Sequence, residues 1–129
     1  MNTMKWVAAL AIACAAPAAA QEVQQLTPEF RACVAGTASQ AETSDCMSQE
    51  VVRQDALVGA ELRLAKSVAR PEIAKRLDAV QAAWAAFREK DCQTKAAAVT
   101  GTGATSQYLE CMLHHSALRK LQLSNYWSL

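Results

Sequence analysis

Residues 84–92 read Trp-Ala-Ala-Phe-Arg-Glu-Lys-Asp-Cys, and this stretch joins a helical pattern to a cysteine. Apolar residues recur before and through it at steps of three and four, the spacing that lines one face of an α-helix. This stripe consists of Ile73, Leu77, Val80, Trp84 and Phe87. The opposite, solvent-facing side is predicted to carry the charged residues Lys75, Arg76, Asp78, Arg88, Glu89 and Lys90. Because an amphipathic helix packs on partners through its apolar face, we expect Trp84 and Phe87 to attach this helix to a bundle.

Two helices are predicted before this one. Thr27-Pro28-Glu29 has the order of an N-cap, a first helical residue and a first-turn acid, and Gly36 ends the short helix that it opens. Residues 39–42 have the Ser-x-x-Glu spacing of a capping box, with Thr43 or Ser44 as an alternative start. Good helix formers then continue to about residue 69.

Two helices follow that segment. Pro71 suits the first helical position and disfavours helix at the residue before it, so we expect a tight turn and then the helix of the opening stretch, to about residue 99. Residues 100–105 form a glycine-containing loop, and Thr105 or Ser106 is predicted to cap the last helix. Strand-like alternation is missing, so the expected fold is all-α: a disulfide-stapled antiparallel bundle of three long helices and one short helix.

The N-terminal segment has the order of a secretory signal peptide. Lys5 precedes an uncharged run over residues 6–13, and small residues fill positions 18–20. We expect cleavage after residue 20 and a single domain over residues 21–129. The alternative is a lipoprotein site at Cys14. Either interpretation places the protein in the periplasm or outside the cell, and no later segment is long and apolar enough to span a membrane.

The charge balance argues against a nucleic-acid partner. The chain has 13 Lys and Arg residues and 12 Asp and Glu residues. Removing residues 1–20 takes away Lys5, so that 13 − 1 = 12 basic residues face 12 acidic ones. Nucleic-acid-binding domains usually show a basic excess.

Four cysteines remain in the expected mature chain, and an even number in a short exported protein indicates a disulfide framework. They are Cys33, Cys46, Cys92 and Cys111. Four cysteines allow three pairings. In an antiparallel bundle Cys33 and Cys46 flank the first connection and Cys92 and Cys111 flank the glycine loop, so local pairing is the economical choice. Each closed loop stabilises the fold by about 3 kcal/mol in the chain-entropy model.

The sequence contains no convincing catalytic or metal site. His114 and His115 are adjacent, so on a helix their side chains point about 100° apart and make a poor chelate, and oxidised cysteines cannot serve as ligands. The carboxylates are scattered over polar faces, and no serine lies in a nucleophile-elbow context. We therefore expect neither enzymatic activity, nor a cofactor, nor a metal.

Acidic residues crowd the first half of the second predicted helix, over residues 39–69, opposed only by Arg53. They are Glu42, Asp45, Glu50 and Asp55. Solubility and matching of the helix dipole explain such a distribution without any partner. The alternative is a surface that steers a protein partner, to which the loop residues Thr102 and Gly103 are added as candidates.

One constellation resembles a known family. Trp84, Phe87, Arg88 and Cys92 have the spacing W-x-x-F-R-x-x-x-C, followed by a glycine-containing loop, a cysteine and Arg119, with two cysteines a dozen residues apart upstream. This pattern is similar to the LprI-like family of small exported bacterial proteins. Residues 57–61 depart from it, since they read Leu-Val-Gly-Ala-Glu where the family has a Leu-Asn-x-x-Tyr element.

The family is named for a lysozyme inhibitor. The resemblance therefore implies an exported helical protein that protects the cell envelope by occluding a muramidase, with Trp84, Phe87, Arg88 and Arg119 serving the structure. Because animal lysozymes are commonly basic, an acidic surface is the expected contact. The alternative is a periplasmic interaction or immunity-type module whose partner is not a lysozyme. The oligomeric state is left open.

Overall fold

The computed structural model describes residues 25–126. They form four helices: α1 (Pro28–Ala35), α2 (Gln40–Val68), α3 (Pro71–Ala97) and α4 (Gly103–Ser124). No strand occurs in this part of the chain, which confirms the all-α prediction of one short and three long helices. The predicted signal peptide over residues 1–20, with the alternative lipidation site Cys14, lies outside the described residues.

The helices begin mostly where the capping signals predicted. Thr27 caps α1 by accepting a hydrogen bond from the Phe30 amide at 3.2 Å. Ser39 and Glu42 form a complete capping box at the start of α2, so the alternative start at Thr43 or Ser44 is wrong. Pro71 is the first residue of α3, and Arg70 before it is extended, as the proline ring requires.

Helix α4 starts earlier than its predicted caps, Thr105 or Ser106, indicate. The helix begins at Gly103, without a side-chain cap, rather than after Thr105 or Ser106. Gly101 supplies the turn with a φ of 72°, a conformation that favours glycine. A Cβ atom on Gly103 would approach the Val99 side chain to 3.1 Å, so the second glycine allows the connection to close tightly.

Consecutive helices run antiparallel. The Cys33–Cys46 bond joins α1 to α2, the contacts Asp55–Arg88 and Lys66–Asp78 join α2 to α3, and Cys92–Cys111 joins α3 to α4. The contacts Thr27–Glu50 and Gln81–Arg119 complete the first and last of these pairs, and in each pair the residue numbers rise along one helix and fall along the other. The bundle therefore has a loop end, where residues 36–39 and 98–102 connect helices, and a turn end, where residues 69–70 do.

Both predicted disulfides are present. The Cα atoms are 5.8 Å apart in Cys33–Cys46 and 5.4 Å apart in Cys92–Cys111. Each bond lies beside one connection of the loop end, so both connections there are closed covalently.

The core is built around α4, which lies between α2 and α3 and contributes the largest share of the buried residues. Met47 of α2 packs with Leu109 and Leu113, and the second disulfide packs with Met112. None of the helices among the described residues is long and apolar enough to cross a bilayer.

The predicted stripe of α3 is wrong in part. Val80 and Phe87 are 45% and 58% exposed, whereas Leu77, Arg88 and Cys92 are buried. The face of α3 that packs against the bundle is therefore rotated about the helix axis by about one residue relative to the predicted apolar face. Arg88 can take the inner position because α2 and α4 provide hydrogen-bond partners for its guanidinium.

Candidate functional site

The two candidate surfaces from the sequence meet at the loop end. A cleft of about 380 Å³ lies between the start of α2 and the start of α4. It is lined by Gln40, Ala41, Ser44, Asp45, Thr102 and Thr105. Ser106 holds the two helices together below it, since its hydroxyl lies 3.2 Å from Ser44 Oγ and accepts from Gln40 Nε2 at 3.2 Å. An acidic residue and the glycine loop therefore border the same depression.

Asp45 is the central acidic residue of this surface. It lines the cleft just described and a second one of about 300 Å³ between α1 and α2, which Glu42 also borders. The Glu42 carboxylate accepts hydrogen bonds from the amides of Ala38 and Ser39 at 2.6 and 3.1 Å, so it completes the capping box while it stays exposed. Asp45 is exposed too, and no ion pair with another described residue neutralises it.

Of the loop candidates, Thr102 is exposed and lines the cleft. Gly103 does not line it, because this residue is half-buried against Val99 at the first position of α4. Gly103 instead allows the close approach to Val99 in the connection that places Thr102 at the cleft.

Glu50 does not belong to this surface, contrary to the acidic-patch prediction. Its side chain is 0% exposed, and its carboxylate accepts hydrogen bonds from the backbone amide of Thr27 at 2.8 Å and the Thr27 hydroxyl at 2.6 Å. Gln54 Nε2 and Arg53 Nε donate to it at 2.6 and 2.7 Å. Burial alone would raise the pKa of Glu50, but the hydrogen bonds from Gln54, Thr27 and Arg53 outweigh it and hold that pKa below its usual value. Glu50 therefore attaches the segment before α1 to α2.

Lys120 fixes the same segment from the other side. Its ammonium donates to the Gln25 carbonyl at 2.8 Å, and Gln54 Nε2 donates to the same oxygen at 2.9 Å. Desolvation lowers the pKa of Lys120, and the charges of Glu50 and Glu61 oppose that effect. The start of the described chain is therefore bound into the groove between α2 and α4.

Asp55 and the family-motif residues form a second polar cluster inside the bundle. Arg88 Nη1 donates to Asp55 Oδ1 at 2.5 Å and to the Ser116 hydroxyl at 2.7 Å. The Trp84 ring lies 4.7 Å from the Arg88 guanidinium carbon and 5.7 Å from that of Arg119. Asp55 is thus paired with a largely buried cation, which offsets its charge although its side chain stays 44% exposed.

Phe87 lies outside this cluster. Its ring meets His115 edge-on with 5.5 Å between the centroids, and the side chain is largely exposed. Of the four motif residues, Trp84, Arg88 and Arg119 are therefore brought together, and Phe87 is not.

A group of potential metal ligands surrounds the second disulfide. The donor atoms of Asp91, Cys92, Cys111 and His115 lie within 4.8 Å of one another. The two sulfurs are bonded to each other, however, and zinc binds thiolates. His115 Nε2 is 2.8 Å from Asp91 Oδ2, which also pairs with Lys95 at 2.9 Å. Hydrogen bonds from His115 and Lys95 lower the pKa of Asp91. These three side chains therefore form a network of polar contacts beside the disulfide.

The comparisons with known proteins agree with the pattern in the sequence. A family model described as "Lysozyme inhibitor LprI" matches residues 31–123, which is most of the chain. No curated protein and no solved structure matches. The family is one of inhibitors and not of enzymes. With its two disulfides and its helical bundle, the chain belongs to the LprI lysozyme-inhibitor family.

Proposed function

We propose that the protein is an exported inhibitor that occludes the cleft of a muramidase with the surface of its loop end. That surface consists of Glu42, Asp45, Thr102 and the cleft between α2 and α4. The observation that carries the proposal is the convergence of Asp45 and Thr102 on one depression. Family membership supports a lysozyme-type target.

The construction of the loop end suits a stoichiometric inhibitor. Both of its connections are closed by disulfides, α2 begins with a complete capping box, and Gly101 and Gly103 close the second connection tightly. A surface that is rigid before binding loses little conformational entropy when a partner docks. Preorganisation of this kind is expected of a protein that fills a cleft.

The charge of the loop end supports a basic target. Glu42 and Asp45 are exposed carboxylates, whereas two of the carboxylates predicted beside them are used internally, Glu50 by Thr27 and Asp55 by Arg88. A small acidic patch speeds encounter with a cationic partner and fixes its orientation more than it adds affinity.

Export belongs to the same proposal. Residues 1–20 would be removed as a signal peptide to leave the domain 21–129, and the two disulfides fit an oxidising compartment outside the cytoplasm. The intact mass of the protein from a periplasmic fraction checks this: a chain that begins at Gln21 is expected, and a chain that begins at an acylated Cys14 would replace this proposal by membrane anchoring.

The inhibition experiment uses the purified oxidised protein with chicken-, goose- and invertebrate-type lysozymes. The double variant Glu42→Gln and Asp45→Asn removes both charges, and glutamine still suits the third position of a capping box. We expect its inhibition constant to rise by roughly three- to tenfold, the range for charges at the rim of an interface. The matched control, Glu72→Gln with Asp78→Asn, removes two exposed carboxylates at the turn end and should inhibit like the original protein.

Two results would contradict the proposal. Absence of inhibition of all three enzyme classes at micromolar protein would remove the lysozyme target, and a partner recovered from periplasmic extract would then favour the interaction-module alternative. Inhibition that responds equally to both double variants would remove the loop end as the contact surface.

A further inference from the structure

Arg119 is a buried cation at the turn end, far from the loop end. Its side chain lies in the second half of α4 and the residue is 5% exposed. Its Nε donates to Gln81 Oε1 at 2.9 Å and its Nη1 donates to Gln122 Oε1 at 3.2 Å. Its Nη2 is buried and has no hydrogen-bond partner. One edge of the guanidinium is therefore incompletely satisfied.

No carboxylate compensates this charge within residues 25–126. Arg88, which also lies over the Trp84 ring, pairs with Asp55, whereas among the described residues Arg119 contacts two neutral amide oxygens and the ring. Desolvation lowers the pKa of Arg119, yet a guanidinium keeps its proton under any physiological condition. Burying a charge without a counter-ion costs free energy, and binding of an anion at such a site offsets part of that cost.

An open cleft borders Arg119. It has a volume of about 380 Å³ and is lined by Arg119, Gln122, Asn125 and Tyr126. Within residues 25–126 the lining consists of a guanidinium, two side-chain amides and a phenol, without an acidic residue. Gln122 is exposed, and its bond to Arg119 is the longer of the two, so it is the contact that a ligand can most easily replace.

We propose that this cleft binds a carboxylate, with the Nη1 and Nη2 edge of Arg119 as its counter-ion. A planar carboxylate matches two parallel N–H donors of a guanidinium, and the pair is strengthened where water is excluded. Trp84 stacks near Arg119 and limits the planes that the guanidinium can adopt. The site is separate from the loop end, so it can be occupied whether or not the protein inhibits a lysozyme.

The first experiment follows ¹H–¹⁵N spectra of the oxidised exported protein at constant ionic strength. Acetate and N-acetylalanine are added separately, with N-acetylalaninamide as the neutral analogue and chloride as the ionic control. Saturable shifts of the Arg119 Nε–H and Trp84 indole N–H signals are expected with both acids and not with the amide or chloride. Tighter binding of N-acetylalanine would assign a peptide-like carboxylate, and equal binding a small free acid. Absence of saturable shifts, or equal shifts with chloride, would overturn the proposal.

Variants test the role of Arg119 directly. Gln122→Glu places a carboxylate three residues after Arg119 on the same helix, where it can pair with the guanidinium and compete with the ligand. It should weaken acetate binding by at least about tenfold and raise the melting temperature. Arg119→Gln should abolish binding where the variant folds. The control Gln49→Glu adds the same charge at an exposed position near the loop end and should change neither property.

The Gln122→Glu variant keeps the proposal falsifiable even if Arg119→Gln does not fold. Carboxylate binding that persists unchanged in Gln122→Glu would show that Arg119 is not the receptor. Lysozyme inhibition is read in parallel, and an unchanged inhibition constant for Gln122→Glu separates this site from the loop end.

Discussion

At the scale of single residues, Glu50 shows how a charged side chain becomes part of a core. Four hydrogen bonds reach its carboxylate from Thr27, Gln54 and Arg53, so the ion is solvated by the protein in place of water. Its pKa is lower in the folded protein than the usual value for a glutamate. The unfolded chain therefore binds more protons in acid. The stabilisation by Glu50 is present above the pKa of a glutamate in the unfolded chain, about 4.3, and is lost as the pH falls through the folded pKa.

The variant Glu50→Gln tests this account. An amide cannot accept all the hydrogen bonds of the carboxylate and brings an additional donor, so we expect a loss of about 1–3 kcal/mol at pH 7. Urea unfolding at pH 7 and at pH 3 measures it. The difference between the original protein and the variant should be smaller at pH 3, and a constant difference would contradict the role of the ionised carboxylate.

Asp55 and Arg88 give a second test at this scale. Asp55→Ala leaves the guanidinium of Arg88 buried and without its counter-ion. Because the Asp55 side chain is 44% exposed, water screens the ion pair and the loss of stability is smaller than for a fully buried pair. We expect urea unfolding to show a loss of about 1–3 kcal/mol. Asp78→Ala removes the exposed partner of Lys66 and should cost less than about 1 kcal/mol. Equal losses would contradict the distinction between these two ion pairs.

At the scale of elements, α1 is the helix with the weakest attachment. It contains no fully buried residue, and it is held by the Cys33–Cys46 bond and by Thr27 through Glu50. In the double variant Cys33→Ser and Cys46→Ser, we expect the amides of residues 28–35 to exchange hydrogen much faster, while α2, α3 and α4 stay protected.

Hydrogen exchange followed by mass spectrometry measures that difference. The matched variant, Cys92→Ser with Cys111→Ser, removes a bond that belongs to the core and should lower the stability of the whole bundle by about 3 kcal/mol. A global loss in the first variant would mean that α1 is an integral part of the bundle.

The orientation of α3 is the other question at this scale. Leu77 is 2% exposed and Phe87 is 58% exposed, although both fall on the stripe that the sequence predicted. Leu77→Ala should therefore cost about 2–5 kcal/mol, as for other buried leucines, and Phe87→Ala less than about 1 kcal/mol. Thermal or urea unfolding compares them, and a larger loss for Phe87 would restore the predicted stripe.

At the scale of the whole molecule, the two ends of the bundle differ in chemistry. The loop end has two disulfides, two exposed carboxylates and a cleft, whereas the turn end has a buried cation beside a cleft of hydrogen-bond donors. The bundle keeps these surfaces apart, because its three long helices run between them. The proposed inhibition and the proposed carboxylate site can thus be tested independently.

The amino-acid sequence by itself determined the elements. The signals that start a helix involve residues only a few positions apart, so they hold in almost any tertiary setting. Here they are Thr27 with Pro28, Ser39 with Glu42, and Pro71. The disulfide pairing followed in the same way, since each bond closes only one connection between neighbouring helices. Family membership depends on this local spacing too.

The tertiary structure alone decided which side chains are inside. Glu50 meets Thr27 across 23 residues, Arg88 meets Asp55 across 33, and Arg119 meets Gln81 across 38. Hydrophobic periodicity ranks Phe87 above Arg88 as a buried residue, and it carries no information about a distant partner that can satisfy a guanidinium. The cost of burying a polar group depends on its hydrogen-bond partners, and helix packing is what brings those partners within reach.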